Sequence, residues 1–471
     1  MSNPRNPFVR ATRAPEPGLG INPYQELYGL VHNPFPPFAT TQPLNADERV
    51  NGTLYDQRLR AEEEREFEHR FLQIASTDAP LLGIIKYEQG APFSRGQGKS
   101  VFLYNLTRKI ARAREEGEDA LAVYIRPPTR ETRRFWQILR QVIEHLAQPI
   151  ELGNERTQFD EVDTVLRARA LAQLLPPAQL DTLAALDALA AQELLGDSSR
   201  IERELGVTPQ RITTTILQLL RDVSGSTLNP IFEELIHQAH GSLVAAWRRL
   251  AAWSEIRWAR DGAGVFLDGI AVAIIAAGYT RLFIFLDDYE RIYLYQNSAD
   301  RSAFLDTLRY VLFDAPTFAT RQRLLRMVTF FHPRTLVDIA DLWLRAGLDR
   351  LCPLDGPDAD RCSVALRALD ADQLRALLIF YLDRARTESE RNQQRGTLEP
   401  FTTEAAQTLI EREQFIVGRV LAGAFAALDA AQRGGRRQVD TALIRSVPVE
   451  DRPDILGATG SLSLPEPDIQ P

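Results

Sequence analysis

Five short runs of apolar residues are spaced along the chain, and stretches with helical periodicity separate them. The runs cover residues 81–85, 120–125, 281–286, 324–331 and 349–354. Runs in which apolar residues follow one another without alternation are typical of strands buried on both faces of a parallel sheet. The pattern therefore predicts an α/β fold with a five-stranded parallel sheet.

The first apolar run leads into a glycine-rich loop and then into a helix. The loop and the first helical positions comprise Gly96, Gln97, Gly98, Lys99, Ser100 and Val101. The order strand, glycine loop, helix is that of a phosphate-binding loop, in which backbone N–H groups surround the phosphates of a nucleotide. A lysine in this place reaches the terminal phosphates, and the serine hydroxyl binds Mg²⁺. We therefore predict that this segment binds ATP together with Mg²⁺.

The start of this loop departs from the usual spacing, G-x-x-x-x-G-K-[ST]. Phe93 stands where that motif has glycine, and the nearest earlier glycine is Gly90. Either the loop is longer by three residues, or Gly96 provides the tight turn and Phe93 points away from the nucleotide. The chain has only three lysines and is rich in arginine, so the lysine at position 99 favours a requirement for a compact ammonium group.

The third apolar run ends in acidic residues. Asp287 and Asp288 follow it directly, and Glu290 lies two positions further on. Taken alone, this stretch also fits a buried strand with a polar end, but the carboxyl end of a parallel strand is where such sheets meet their ligands. We predict that Asp287 holds Mg²⁺ and that Asp288, with Glu290 nearby, orients or activates the attacking water. Glutamate is usual at the activating position. We therefore expect the shorter Asp288 to affect the rate of hydrolysis and not the binding of the nucleotide.

Three further side chains are candidates for a role at the phosphates. His332 ends the fourth apolar run and is predicted to lie near the γ-phosphate. Arg345 or Arg350 would project from the domain edge into the site of a neighbouring subunit as an arginine finger. Each of these two arginines fits a surface ion pair equally well.

Composition narrows the class of protein. The chain has 471 residues, of which 44% are apolar and 25% charged, as in a soluble globular protein of about two or three domains. Its net charge of −8 excludes a protein that binds polyanions through its bulk field. Cys352 and Cys362 form neither a disulfide framework nor a metal-binding spacing, which indicates a reducing compartment. We expect a bacterial, cytoplasmic protein with no signal peptide and no membrane partner.

Arginine and tryptophan are interleaved at helical spacing near the end of a long strand-free region. The segment includes Trp247 and residues 253–260. One interpretation is a stacking surface for single-stranded nucleic acid, which would make DNA a partner. The other is a set of core tryptophans flanked by surface arginines.

The chain resembles an AAA+ ATPase of the initiator, or origin-recognition, branch. Four features carry this resemblance: the loop after the first run, the acids after the third, the polar end of the fourth and a helical C-terminal region. Three segments are similar to that branch: residues 400–403, the pair Gly418-Arg419 and the segment 27–35. The resemblance implies that Arg419 is the second sensor arginine, although here it follows the glycine directly. The run 276–279 is similar to ATP-binding proteins of bacterial phage-defence operons of the BREX type.

The resemblance implies an oligomeric AAA+ ATPase that drives assembly or remodelling of a DNA-associated complex, in defence or on a mobile element, with an effector protein of the same system. One alternative is a nucleotide-gated scaffold with little or no hydrolysis, and another is a nucleic-acid-binding module. The predicted domains are an N-terminal arm at 1–45, a nucleotide-binding domain at 46–149 and 263–365, a helical insertion at 150–262, a helical lid at 366–447 and a flexible tail at 448–471.

Overall fold

A computed structural model describes most of the chain. The described residues are 22–38, 41–43, 45–75, 78–87, 96–115, 118–127, 132, 134–149, 156–225, 228–252, 258–289, 296–315, 323–331 and 333–447.

A five-stranded parallel sheet forms the centre of the molecule. Its strands are β1 Leu82–Tyr87, β2 Ala120–Ile125, β3 Arg281–Leu286, β4 Leu325–Phe331 and β5 Ser363–Leu366. They are ordered β2-β3-β4-β1-β5, and every neighbouring pair is parallel. The predicted α/β fold with a five-stranded parallel sheet is confirmed. Because all strands run the same way, the loop after β1 and the acids after β3 leave the sheet at the same edge.

The position predicted for the fifth strand is wrong. Residues 348–350 form a short 3₁₀ turn, and the strand beside β1 comes later, at Ser363–Leu366. In the predicted segment Cys352 is buried and Leu351 and Leu354 are partly buried, and the indole N–H of Trp343 donates to the Cys352 carbonyl at 2.9 Å. Pro353 has no N–H with which to join a sheet ladder.

Short helices precede and surround the sheet. Before β1 lie α1 Pro23–Tyr28, α2 Glu48–Asn51, a 3₁₀ turn at Gln57–Arg60 and α3 Ala61–Phe67, which continues as a π-helical turn at Glu68–Leu72. Between β1 and β2 lies α4 Lys99–Glu115. Between β3 and β5 lie α15 Ser298–Arg309, a π-helical turn at Tyr310–Asp314, α16 Pro333–Arg345, and 3₁₀ turns at Leu348–Arg350 and Ala359–Arg361.

The described residues between β2 and β3 are helical and contain no strand. Their helices are α5 Phe135–Leu146, α6 Gln158–Leu174, α7 Pro177–Ala184, α8 Ala188–Gly196, α9 Ser198–Leu205, α10 Pro209–Ser224, α11 Pro230–Gln238, α12 Leu243–Ala252, α13 Trp258–Val265, a π-helical turn at Phe266–Ile270 and α14 Ala271–Ala276. Trp247 of α12 is buried against Phe159 of α6, with ring centroids 6.1 Å apart, as the core interpretation of that tryptophan requires. Residues 253–257 lie outside the described part of the chain.

The two faces of the sheet carry separate cores. Alternate residues of β3 show the division: Leu282, Ile284 and Leu286 pack with α5 and the helices that follow it. Phe283 and Phe285 point to the other face, where they pack with α4 and with Phe67 and Phe71 of the α3 region. Period-two alternation of this kind is what a strand buried on both faces produces.

A third core joins the C-terminal helices to the segment 22–38. The helices are α17 Ala371–Ala385, α18 Glu388–Gln394, α19 Thr403–Arg412, α20 Val417–Arg433 and α21 Thr441–Ser446. Phe35 packs against Tyr381 and Phe401, and the amide of Asn33 donates to the Phe425 carbonyl at 3.0 Å. We call these helices the lid and residues 22–38 the arm. No helix in the described ranges is long and apolar enough to cross a membrane.

Candidate functional site

Two glycines shape the loop that leads into α4. Gly96 has φ 98° and Gly98 has φ 84°, a region of backbone space that side chains rarely tolerate. A Cβ on Gly96 would also lie 3.2 Å from Cγ2 of Ile416 in the lid. The tight turn at Gly96 that one interpretation of the sequence required is therefore present. Phe93 and Gly90 lie outside the described residues, so the path of the loop before Gly96 stays a prediction.

The loop and the end of β3 come together at one buried carboxylate. Asp287 is fully buried, and the Ser100 side chain at the start of α4 hydrogen-bonds with it. Burial raises the pKa of the Asp287 carboxyl and the adjacent Asp288 adds to that rise, whereas the Lys99 ammonium and hydrogen bonds from Ser100 and Tyr124 oppose it. The predicted lysine, serine and aspartate thus meet at one place.

Lys99 lies over the neighbouring strand as well. Its Nζ is 4.3 Å from the centroid of the Phe330 ring, and Phe330 of β4 is in register with Ile85 of β1. An ammonium over an aromatic face is stabilised by the ring quadrupole. The charge of Lys99 is therefore placed near the carboxyl ends of β1, β3 and β4.

Tyr124 is a member of the site that the sequence did not single out. Its hydroxyl donates to Oδ2 of Asp287 at 2.6 Å. Burial, together with the charge of Asp287, raises the pKa of Tyr124 well above its usual range, so this hydroxyl keeps its proton. The only sequence signal was its place in β2, which pairs with β3 so that Tyr124 stands beside Phe285.

Asp288, the predicted water-activating residue, is held in an ion pair. Its Oδ2 accepts from Nε of Arg126 at 2.8 Å, and its own N–H donates to Oδ1 of Asp287 at 2.8 Å. The backbone of Asp288 is left-handed, with φ 55°. Burial alone would lower the pKa of Arg126, but Asp288 and Asp287 outweigh it and raise that pKa. Arg126, which directly follows β2, is a second residue that the sequence did not indicate.

The lid touches the loop directly. The N–H of Gly418 donates to the Gly96 carbonyl at 2.6 Å. Arg419 is the next residue in the first turn of α20 and is half-buried. The structure therefore places the predicted sensor arginine in the lid helix whose first turn contacts the loop at Gly96.

A cleft opens between the loop, the arm with the residues that follow it, and the lid. Its polar end is formed by Gly98, Lys99 and Ser100, and its remaining walls are mainly apolar. A polar end beside an apolar chamber suits a ligand that carries phosphates on a flat, largely apolar group. The other lining residues are Pro36, Phe38, Thr41, Arg49, Val50, Gly52, Leu54, Gly96, Val101, Tyr381, Val417, Gly418 and Leu421.

The donors beside Lys99 fit a magnesium ion. The Ser100 hydroxyl and the Asp287 carboxylate are hard oxygen ligands in contact with each other, and Mg²⁺ commonly takes one or two such groups and fills its remaining positions with water and phosphate oxygens. Within the described residues there is no cluster of three or more His, Cys, Asp or Glu that would form a site made only of protein ligands.

The remaining predicted site residues are not at the cleft or are not described. Glu290 and His332 lie outside the described residues, so their roles stay predictions. Arg345, at the end of α16, and Arg350, in the turn that follows, are exposed. Neither is among the described residues that line the cleft.

Comparisons with known proteins add little to this geometry. No protein-family model matches the chain, and no curated protein matches it. One solved structure that it resembles is that of the ORC2 protein of Aeropyrum pernix in ADPNP–ADP complexes, with 12% sequence identity and a TM-score of 0.42. The match covers 89% of this chain and 75% of that one. A likeness at this level carries no assignment of function.

Proposed function

We propose that this protein is an AAA+ ATPase that binds Mg-ATP in the cleft between the phosphate loop, the arm and the lid. The observation that supports this most is the meeting of Lys99, Ser100 and Asp287 at the carboxyl edge of the sheet. These residues lie far apart in the sequence, and their types are those that a nucleoside triphosphate and its magnesium require. The apolar walls of the cleft then receive the base.

Each residue has a distinct part in the proposed reaction. The backbone of the loop and the Lys99 ammonium bind and orient the phosphates, while Ser100 and Asp287 hold Mg²⁺, which neutralises developing negative charge. Asp288 orients the attacking water once its carboxylate leaves Arg126. Arg419 of the lid, through its link to the loop at Gly418, adds positive charge to the phosphates when the lid closes.

A second copy of the chain is the proposed partner at α16. The outer face of this helix exposes Val337 by 77% and Leu344 by 63%, and Arg345 adjoins them. An apolar face beside an arginine suits an interface in which that arginine enters the neighbour's nucleotide site. Assembly of such an oligomer on DNA or on an effector protein, in phage defence or on a mobile element, is the use we propose for the ATPase cycle.

Replacement of Lys99 tests nucleotide binding. Lys99→Ala should weaken ATP binding by about 10- to 100-fold, because a charge-assisted contact to phosphate is lost. Lys109→Ala is the matched control: Lys109 lies on the same helix but pairs with Glu64 and Glu68. Titration with a fluorescent ATP analogue measures both, and an unchanged affinity in Lys99→Ala would overturn the proposal.

The ion pair between Arg126 and Asp288 favours a second function, a nucleotide-gated scaffold with little hydrolysis. A carboxylate that is engaged at 2.8 Å by a guanidinium is a poor partner for water. Phosphate release by the wild type and by Asp288→Asn separates the two functions. Equal rates would favour the scaffold, whereas a large loss in the variant would support the ATPase.

A further inference from the structure

The two cysteines of the chain meet in the folded protein. Cys352 and Cys362 are the only cysteines in the sequence, and both are buried and reduced. Their sulfur atoms lie 4.0 Å and 3.9 Å from the same carbonyl oxygen, that of Pro353. The Cys352 sulfur also lies 3.8 Å from the carbonyl oxygen of Cys362 itself. Two thiols this close form a dithiol, which differs from two separate core cysteines in what it can do chemically.

The backbone on both sides holds this pair in place. The Cys352 carbonyl accepts from the indole of Trp343 at 2.9 Å, and the Cys362 carbonyl accepts from the Ile84 N–H of β1 at 2.8 Å. Cys362 directly precedes β5, so one thiol belongs to the sheet and the other to the turn after α16. Because both anchors are independent of the thiols, the closeness of the two sulfur atoms is built into the fold.

We propose that Cys352 and Cys362 are a redox modification site that forms a reversible intramolecular disulfide at the β5 edge of the sheet. With oxidised glutathione as the oxidant, the Cys362 thiolate attacks one glutathione sulfur, the glutathione disulfide breaks, and one glutathione leaves as its thiolate. Cys352, after losing its proton, then attacks the Cys362 sulfur of this mixed disulfide and expels the second glutathione. The protein loses two electrons and two protons, and the oxidant becomes two molecules of reduced glutathione.

The surroundings assign different parts to the two thiols. The neighbouring Cys352 thiol lowers the pKa of Cys362, and the positive charges of Lys86 and Arg70 act in the same direction, against the effect of burial. Burial raises the pKa of Cys352 well above its usual range. Since the thiolate is the nucleophile in exchange, Cys362 attacks first and Cys352 resolves.

The segment between the cysteines gives access to them. Residues 355–358 are exposed, and so are Asp360 and Arg361. A surface loop with few buried side chains opens locally at low cost in free energy, which lets a small disulfide reagent reach buried thiols. Access therefore does not require unfolding of the sheet.

Oxidation of the full-length protein tests the site. The native protein is incubated with oxidised glutathione, unfolded in an alkylating reagent and weighed. We expect a loss of about 2 Da, no alkylated cysteine, a monomer on a non-reducing gel, and reversal by dithiothreitol. A higher thermal midpoint of the oxidised form should accompany this change, because the cross-link restricts the unfolded chain. A wild type that stays reduced, or that stops at a glutathione adduct, would overturn the proposal.

Two single substitutions test the order of attack. Cys352→Ser keeps Lys86 and Arg70 near the Cys362 thiol and should accumulate one glutathione per chain, whereas Cys362→Ser leaves only the thiol whose pKa burial raises and should stay reduced. The reverse result would refute the assigned roles. Neither residue lines the nucleotide cleft in the described part of the chain, so the outcome is independent of ATP binding.

Discussion

Asp287→Asn should make the ligand-free protein more stable and at the same time abolish magnesium-dependent ATP binding. The wild-type carboxylate is fully buried, and burial and Asp288 together raise its pKa, so its ionised form opposes folding at neutral pH. By analogy with buried ion pairs that are replaced by neutral groups, removal of this desolvated charge gains about 1–4 kcal/mol. Weaker hydrogen bonds from Tyr124 and Ser100 return about 1–2 kcal/mol of that gain. The net expectation is ~1 kcal/mol of added stability.

Thermal unfolding across a pH series measures this effect. A carboxyl group with a raised folded-state pKa stabilises the folded protein while it is protonated, and that contribution is lost as pH rises past its unfolded value of about 4 toward the raised one. The midpoint of Asp287→Asn should therefore exceed that of the wild type by an amount that grows above about pH 4 and then levels off. ATP titration in the presence and absence of Mg²⁺ measures the predicted loss of magnesium-dependent binding.

Asp163→Asn is the matched control. Asp163 is mostly buried and its pKa is also raised by burial, but its Oδ2 lies 3.1 Å from Nε of Arg167, away from the cleft. Its substitution leaves a buried guanidinium uncompensated, so we expect lower stability with normal ATP binding. If Asp287→Asn were instead clearly less stable than the wild type at pH 7, the carboxylate would not be held at a cost to folding, and the reasoning would fail.

Three further substitutions probe other contacts. Gly96→Ala should weaken ATP binding and cost about 1–2 kcal/mol in thermal unfolding, because Gly96 has a positive φ and lies close to Ile416. The control is Gly435→Ala: Gly435 also has a positive φ but no neighbouring atoms in its way, so this variant should show the backbone strain alone and normal ATP binding. Arg126→Ala should destabilise the ligand-free protein by about 1–2 kcal/mol in thermal unfolding at pH 7, because it removes the guanidinium that pairs with the Asp288 carboxylate. Arg345→Ala should lower phosphate release by about 10³-fold with unchanged ATP affinity; a normal rate would contradict its proposed entry into a second copy.

The core of the fold and the centre of the site could be predicted because they depend on strong local patterns. Four of the five apolar runs became strands, since each is buried on both faces and needs a continuous apolar sequence. Once the strands are parallel, the residues after β1 and β3 must emerge at one edge. The meeting of Lys99 and Asp287 follows from that topology, although they are far apart in the sequence.

Contacts that depend on a single side chain could not be predicted. Tyr124 and Arg126 reach the acids only through the register of β2 on β3, and one tyrosine or arginine at a strand end is not distinguishable from many others in the sequence. The closeness of Cys352 and Cys362 depends on the path of the turn between them, and the spacing of the two cysteines in the sequence does not predict that path. The fifth strand was misplaced because a turn that packs apolar side chains against the core has the same apolar pattern as a strand in a sheet.

The shared core of arm and lid has a mechanical consequence. Tyr28 donates to the Arg436 carbonyl at 2.7 Å, Leu30 bridges to Arg386, and Phe35 is enclosed by lid aromatics. Rotation of the lid would move residues 22–38 with it, so the moving unit is larger than the C-terminal helices alone. Pro36 and Phe38 move with it. Two segments that are distant in the sequence would therefore contact the base of a bound nucleotide and move together.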